Sequence, residues 1–383
     1  MTGSEPPKRI ALAIQRLAPA GGLEQHAIRL AAALAARGAA PTFVTSRRPA
    51  RPIPFEVLSL PSRGRTNHGR LAAFAADAAR AVREGRFELA VAFHAIPGFP
   101  MLFLADPSRA RPAGVRALLP RGRTFAALER RAFAADGAEL ALVLSGVQLE
   151  GFAGGHPGSQ ARFELLPPTL PRRSAPVAPP SPTDREAARR RLGASRGRIL
   201  LWVGLQARTK GLDRALAAIA DCPDAELLVT GLDPDSRWGR TMRRESVRLG
   251  VAARVRWLGF ADEAALADAF LAADLLIHPS RADVTGTVIL EAMSSGLGVI
   301  ATSVCGYAEH VAKADAGVVL PDPFRAADLA AALASATTDR LARWSGNALA
   351  YAGTDGLYGG LEHAAELILS APARSPSGPR ARD

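Results

Sequence analysis

The sequence predicts an α/β protein of two domains, each a parallel sheet with helices on both faces. Three observations carry this. The chain has 383 residues, beyond the usual range of one domain and comfortable for two. Short apolar runs alternate with helical patterns from start to finish, the rhythm of parallel strands joined by helices. The alternation breaks at Pro167 to Pro182, where seven prolines are interleaved with Ser, Ala and Arg in the manner of a linker.

In the first half, Ile10 to Ile14 reads as a buried strand. Leu23 to Arg37 reads as a helix closed by Gly38. Thr42 to Thr45 and Phe55 to Leu60 are strands, Leu71 to Arg83 is helical, and Leu89 to Phe93 is a strand again. Leu140 to Leu144 is another, with Ser145 placed to cap the helix after it. Beyond the prolines, a helix around Glu186 to Leu192 precedes six runs that read as strands. They are Ile199 to Val203, Glu226 to Val229, Val255 to Leu258, Leu275 to His278, Val299 to Thr302 and Val318 to Leu320. The expected organisation is a first domain over 1–170, a linker over 171–184 and a second domain over 185–352. A last amphipathic helix (Leu361 to Leu369) lies within 353–371, and a disordered polar tail covers 372–383.

Hydrophobic residues make up 48% and charged residues 22% of the chain, which fits buried cores and argues against a disordered protein. The formal net charge is +12, compatible with nucleic acid, an anionic membrane or phosphorylated ligands. Nucleic acid has only that charge in its favour: there is no recognition motif and few aromatic residues for stacking. Cys222 and Cys305 stand far apart with no partner motif, which fits a reducing compartment and argues against a Cys-based zinc site. Neither a signal-peptide pattern nor a spanning apolar run is visible. The expectation is a cytoplasmic protein, or one lying on the inner face of the cytoplasmic membrane.

Ligands of such domains sit at the carboxyl ends of the strands. The first strand leads to Leu17-Ala18-Pro19-Ala20-Gly21-Gly22-Leu23 rather than a G-x-G-x-x-G fingerprint, which counts against a dehydrogenase. Gly21 and Gly22 form either a plain tight turn or a loop that lets backbone approach a ligand. In the second half, Arg208-Thr209-Lys210-Gly211 follows a strand and enters a helix, placing two cations where a diphosphate would fit. Asp283 lies in the loop before a later helix and Glu291 about one turn inside it, with Gly286 and Thr287 at the helix start. Free N–H groups there suit a phosphate. A Glu buried in the apolar run Val288 to Met293 would be unusual unless paired or liganded.

This pair of acids flanking seven residues resembles the C-terminal signature of retaining glycosyltransferase family 4. Further segments occur in order: Thr66-Asn67-His68-Gly69-Arg70, Phe93-His94-Ala95-Ile96-Pro97-Gly98, Leu166-Pro167-Pro168, Lys210-Gly211 with Asp213-Arg214, His278-Pro279, and Val304-Cys305-Gly306-Tyr307-Ala308. Together they resemble the lipopolysaccharide core glucosyltransferase I family over nearly the whole chain. That resemblance implies a GT-B fold, two Rossmann-like domains facing each other across a cleft. The N-terminal domain would take the acceptor and the C-terminal domain the nucleotide sugar, with the last helix packing back on the N-terminal domain. It implies retaining transfer of glucose from a UDP-sugar to a lipopolysaccharide-core or related glycolipid.

By the same resemblance, Gly21 and Gly22 would lie beside the donor diphosphate and sugar. Arg208 and Lys210 would neutralise the departing diphosphate. Gly286, Thr287 and Val288 would offer N–H groups, Asp283 would hold sugar hydroxyls, and Glu291 the ribose. Arg172 or Arg173 would reach in from the hinge, and Phe260 would lie near the base. His94 and His26 are either contacts at the reacting sugar or structural residues. No covalent nucleophile and no metal-ligand cluster stand out, so no cofactor and no essential metal are expected. The sequence departs from the family pattern at Asp283 (usually Glu), Thr209 (usually basic), His26 and Pro100 (each usually Asp) and Thr169 (usually Gly). Transfer of galactose, N-acetylglucosamine or mannose, a sugar-nucleotide 2-epimerase and a non-catalytic binding protein are the competing readings. Product analysis without acceptor separates epimerase from transferase.

Pro107 to Arg131 carries seven arginines, among them Arg116, Arg121 and Arg123, and a single acid, Glu129. Leu118, Leu119, Phe125 and Leu128 lie between them. The stretch is either a solvated Arg-rich loop or a surface for anionic lipid and a phosphorylated acceptor, at roughly 1 kcal/mol per cation near the membrane. For the second reading, wild type should sediment with anionic but not neutral vesicles and be released by high salt. Replacing Arg116, Arg121 and Arg123 by Gln should weaken sedimentation. Equal sedimentation of the triple variant would remove this segment as the anchor.

Overall fold

The computed structural model describes residues 6–17, 22–49, 52–110, 119–170, 180–194 and 197–372. The chain divides into two compact units: Met1–Thr169 together with Gly359–Asp383, and Leu170–Tyr358.

In the first unit the order is β1 (Arg9–Ala13), α1 (Gly22–Ala35), β2 (Ala40–Thr45), β3 (Glu56–Ser59), α2 (Asn67–Glu84), β4 (Leu89–Ala92) and β5 (Met101–Leu104). Then follow α3 (Pro120–Ala132), β6 (Leu140–Val143), α4 (Gly146–Gly155) and β7 (Arg162–Leu165). The strands form one parallel sheet in the order β3-β2-β1-β4-β5-β6-β7. The strands β4, β5 and β6 are buried throughout, as strands covered on both faces must be. Their side chains alternate between two cores: Leu89 and Val91 join one cluster with Leu30 and Phe43, whereas Ala90 and Ala92 join another with Phe74 and Phe152. Thr66 caps α2 by accepting the Gly69 N–H at 3.1 Å. The helix therefore starts four residues before the expected Leu71.

The second unit opens with α5 (Pro182–Arg191), so the last residues assigned to the linker are helical, with Ser181 accepting the Asp184 N–H. Residues 171–179 lie outside the described residues. Then come β8 (Arg198–Val203), α6 (Leu212–Ala220), β9 (Ala225–Thr230), α7 (Arg237–Arg248), β10 (Val255–Gly259), α8 (Glu263–Ala272) and β11 (Leu275–His278). The remainder is α9 (Thr287–Ser294), β12 (Gly298–Thr302), α10 (Ala308–Lys313), β13 (Gly317–Leu320), α11 (Ala326–Ser335) and α12 (Thr338–Ala352). Its parallel sheet runs β10-β9-β8-β11-β12-β13. Strand order reverses between β1 and β4 in the first sheet and between β8 and β11 in the second. At such points the loops leaving neighbouring strands diverge and leave a crevice at the carboxyl edge.

The last helix, α13 (Gly360–Ser370), belongs to the first unit. Leu361, Ala364, Ala365 and Ile368 are buried with Leu30, Ala31 and Leu34 of α1, and Arg37 pairs with Glu366 at 2.9 Å. The tail from 373 on lies outside the described residues. Ile368 is fully buried, so Ile368→Ala should cost about 2–5 kcal/mol in urea unfolding, the range for a large-to-small core change. A loss within the noise of the measurement would detach α13 from this core.

Candidate functional site

In the second unit the loops leaving β8 and β11 are stitched together. Gly211 ends the first loop with φ +71°, a left-handed conformation, and a Cβ there would stand 2.0 Å from the Pro279 carbonyl oxygen. Only glycine permits this approach. The Arg281 guanidinium grips the Asp213 carboxylate with two bonds of 2.7 Å and donates to the Arg208 carbonyl at 2.6 Å. Burial pushes the Asp213 carboxyl up, but the Arg281 bonds and charge outweigh it and hold it below the usual range. Arg214, stacked 3.9 Å from the Phe324 ring centre, donates to the carbonyls of Pro279 and Ser280. The indole N–H of Trp202 fixes the Lys210 carbonyl at 3.0 Å.

This framework aims the Lys210 ammonium at Asp283, Nζ to Oδ2 2.5 Å. The same oxygen lies 2.8 Å from His278 Nε2. Burial pushes the Asp283 carboxyl up, but the His278 hydrogen bond and the Lys210 charge override it and bring the group down to about 2. Gly286, left-handed at φ +74°, caps α9 immediately after this loop. The first N–H groups of the helix, including those of Thr287 and Val288, have no intrahelical acceptor. Arg208 is exposed. The loop thus presents two cations and a helix N-terminus at one sheet edge, a set suited to a diphosphate.

Glu291 is on the second turn of α9 and is half-buried rather than buried. A side chain with access to solvent does not carry the desolvation cost that the apolar run suggested. Phe260 follows β10 and is 70% exposed. Sequence reasoning assigned no role to His278, Ser280, Arg281 or Cys305. The signal of His278 and Cys305 was present only as motif residues, because no spacing rule joins a strand end to two separate loops. His278, Asp283 and Cys305 do bring donor atoms within 4.8 Å of one another, a cluster that spacing did not reveal. Two facts disfavour a cation there: the Lys210 ammonium already neutralises the carboxylate, and burial pushes the Cys305 thiol up to about 11.

The first unit places its residues differently. Gly22 opens α1, and a Cβ there meets nothing. Gly21, Arg172, Arg173 and Arg116 lie outside the described residues. His26 faces Thr169, Nε2 to Oγ1 2.8 Å, and its Nδ1 is buried without a partner among the described residues. Two departures from the family pattern are therefore partners of each other. Burial, with Arg29 nearby, pushes the imidazole down to about 4. His94 leaves β4 into a cavity of about 800 Å³ in the first unit, shared with Arg16, Arg47, Arg109 and Arg121. The His94 imidazole beside Asp106 holds that carboxyl below the usual range.

Residues 120–132 are helical, which corrects the alternative of an Arg-rich loop for that part of the stretch. Arg121 and Arg123 are exposed on α3. Leu128 is 8% exposed and belongs to the core, so it is not free to enter a membrane. Phe125 lies beneath the guanidinium groups of Arg109 and Arg121. Leu119, 52% exposed, faces solvent, and Leu118 lies outside the described residues. Glu129 is buried, holding His156 at 2.9 Å, the Ser108 hydroxyl at 2.6 Å and the Arg109 N–H at 2.7 Å. Among the described residues no helix is long and apolar enough to cross a membrane.

Two parallel-sheet units with a cationic strand-to-helix edge fit a glycosyltransferase of the GT-B class, and the relatives show that the protein is one. Residues 184–350 match the family described as glycosyl transferases group 1. The chain belongs to the family of the lipopolysaccharide glucosyltransferase WaaG of Escherichia coli (strain K12): the two are 32% identical over 374 residues, 94% of this chain and 98% of the relative. The crystal structure of WaaG, a glycosyltransferase involved in lipopolysaccharide biosynthesis, superposes with a TM-score of 0.82 at 30% identity, covering 94% of this chain and 100% of that one. Anabaena HepE in complex with UDP and glucose shares the fold, with a TM-score of 0.72 at 20% identity over 94% and 99% of the two chains.

The His26 value has a consequence for stability. Its folded value is depressed, so between about 6.5 and about 4 the unfolded chain binds the proton that the folded chain refuses. Stability should fall as pH drops through that window, by up to about 3 kcal/mol at roughly 1.4 kcal/mol per unit. His26→Gln should flatten the slope of urea-unfolding free energy against pH. An unchanged slope would place the titration elsewhere.

Proposed function

We propose that this protein transfers glucose from UDP-glucose, with retention of anomeric configuration, to a lipopolysaccharide-core or related glycolipid acceptor at the inner face of the cytoplasmic membrane. The observation that carries the reading is the Lys210 ammonium held on Asp283 at the head of α9. The likeness to WaaG along 94% of the chain supports the glucosyl donor and the acceptor class. The arginines of α3 support a membrane-anchored acceptor.

In this reading the bond between the anomeric carbon and the diphosphate oxygen breaks first, leaving an oxocarbenium-like sugar. Arg208, Lys210 and the first N–H groups of α9 stabilise the charge gathering on the diphosphate, donors already in place before the reaction. The acceptor hydroxyl attacks on the face the diphosphate leaves, and its proton passes to a leaving phosphate oxygen. No divalent ion is required, because fixed cations supply the neutralisation. Asp283 takes sugar hydroxyls, Glu291 the ribose, and Phe260 lies by the base. His94, in the arginine-lined cavity, faces the acceptor side.

A second reading, another hexose on the same UDP handle, is favoured by one observation. Asp283 is one methylene shorter than the family's usual Glu and is already engaged by Lys210 and His278. A panel of UDP-sugars decides between them, and tight binding of GDP or ADP with none of UDP would overturn both.

Lys210→Ala should lower kcat by about 100-fold or more, as loss of one preorganised charge-stabilising group does. Glu291→Ala should lose a similar factor, part of it in KM, because ribose binding is present before the transition state. Wild-type rates in either variant would place the chemistry elsewhere.

A further inference from the structure

We infer that His278 is a positioning residue for the transfer, acting through Asp283 to hold Lys210 on the leaving group. The inference rests on the transferase reading above and assigns a role to a side chain that the reading leaves idle. His278 is the last residue of β11 and is 1% exposed. Its Nε2 lies 2.8 Å from Asp283 Oδ2 and 3.0 Å from Ser280 Oγ.

The direction of the hydrogen bond follows from the partner. An ionised carboxylate only accepts, so the proton on that contact belongs to Nε2. Nδ1 is buried without a partner among the described residues, so the ring makes no second anchor of its own there. It is fixed instead by the packed strand end and by Ser280. The Ser280 carbonyl in turn receives bonds from Thr302 Oγ1 at 2.8 Å and from Arg214 at 3.2 Å. The Asp283 backbone is paired with Cys305 and accepts the Gly306 N–H at 3.1 Å. What these contacts leave loose is the carboxylate torsion, and His278 fixes it. Oδ2 then meets the Lys210 ammonium at 2.5 Å. A flexible four-carbon side chain is thereby pointed before any ligand arrives.

The order His278, Asp283, Lys210 predicts how losses combine. Groups acting in series share one effect, so removing the second adds little once the first is gone. His278→Leu should lower kcat by about 30-fold with donor KM within about twofold, the pattern of lost alignment rather than lost binding. His278→Gln, whose amide N–H reaches the place of Nε2, should recover at least about tenfold of that loss. In a Lys210→Ala background, His278→Leu should cost less than about threefold.

The experiment is steady-state transfer from UDP-glucose by the full chain for wild type, the two single His278 variants, Lys210→Ala and the Lys210→Ala/His278→Leu double variant. Far-UV circular dichroism confirms each fold. If His278→Leu does not fold, His278→Asn takes its place, its shorter amide unable to reach Oδ2. Non-additive losses with rescue by Gln support the inference. Losses that multiply, or a folded Gln variant no better than Leu, overturn it while leaving the transferase intact. A wild-type protein that neither binds nor turns over any sugar nucleotide overturns the transferase reading itself.

Discussion

One carboxylate oxygen, Asp283 Oδ2, organises the carboxyl edge of the second sheet. It accepts from the Lys210 ammonium and from the His278 ring, and the residue sits in the loop that ends at the helix cap Gly286. A half-buried ion pair of this kind is weak evidence for stability, since desolvation offsets most of the attraction. Its value lies in alignment. The contact fixes the Lys210 ammonium on the loop that leads into α9, the arrangement that the proposed diphosphate site requires. Much of the neighbouring structure serves the same end: the close approach of Gly211 to Pro279, the Arg281–Asp213 clamp, and the Trp202 bond to the Lys210 carbonyl.

The second sheet was legible strand by strand, because its central strands are largely apolar runs of the right length, and β8, β9 and β10 end at or just before a glycine. Lys210, Asp283 and Gly286 were legible as candidates because they lie in the loops that leave β8 and β11. The first unit was read less completely. Met101–Leu104 is a run of four, too short to separate from the apolar residues around it. Arg162–Leu165 is a polar edge strand with little alternation to read. The α3 helix was hidden by its arginines, since only Ala126, Leu128, Glu129 and Ala132 are buried on its inner face. Its buried Glu129, tied to His156, Ser108 and the Arg109 backbone, is a long-range arrangement that no local pattern announces.

The pairing of His26 with Thr169 shows the same limit from another side. Each residue alone reads as a loss from the family pattern. Placed 2.8 Å apart, they tie α1 to the segment after β7.

The most direct test of the account is a crystal structure of the protein grown with UDP. It predicts diphosphate oxygens within hydrogen-bond reach of the Lys210 ammonium and of the N–H groups at the start of α9, with Asp283 still bonded to His278. Diphosphate bound away from Lys210, or no UDP in crystals grown at saturating concentration, would contradict it.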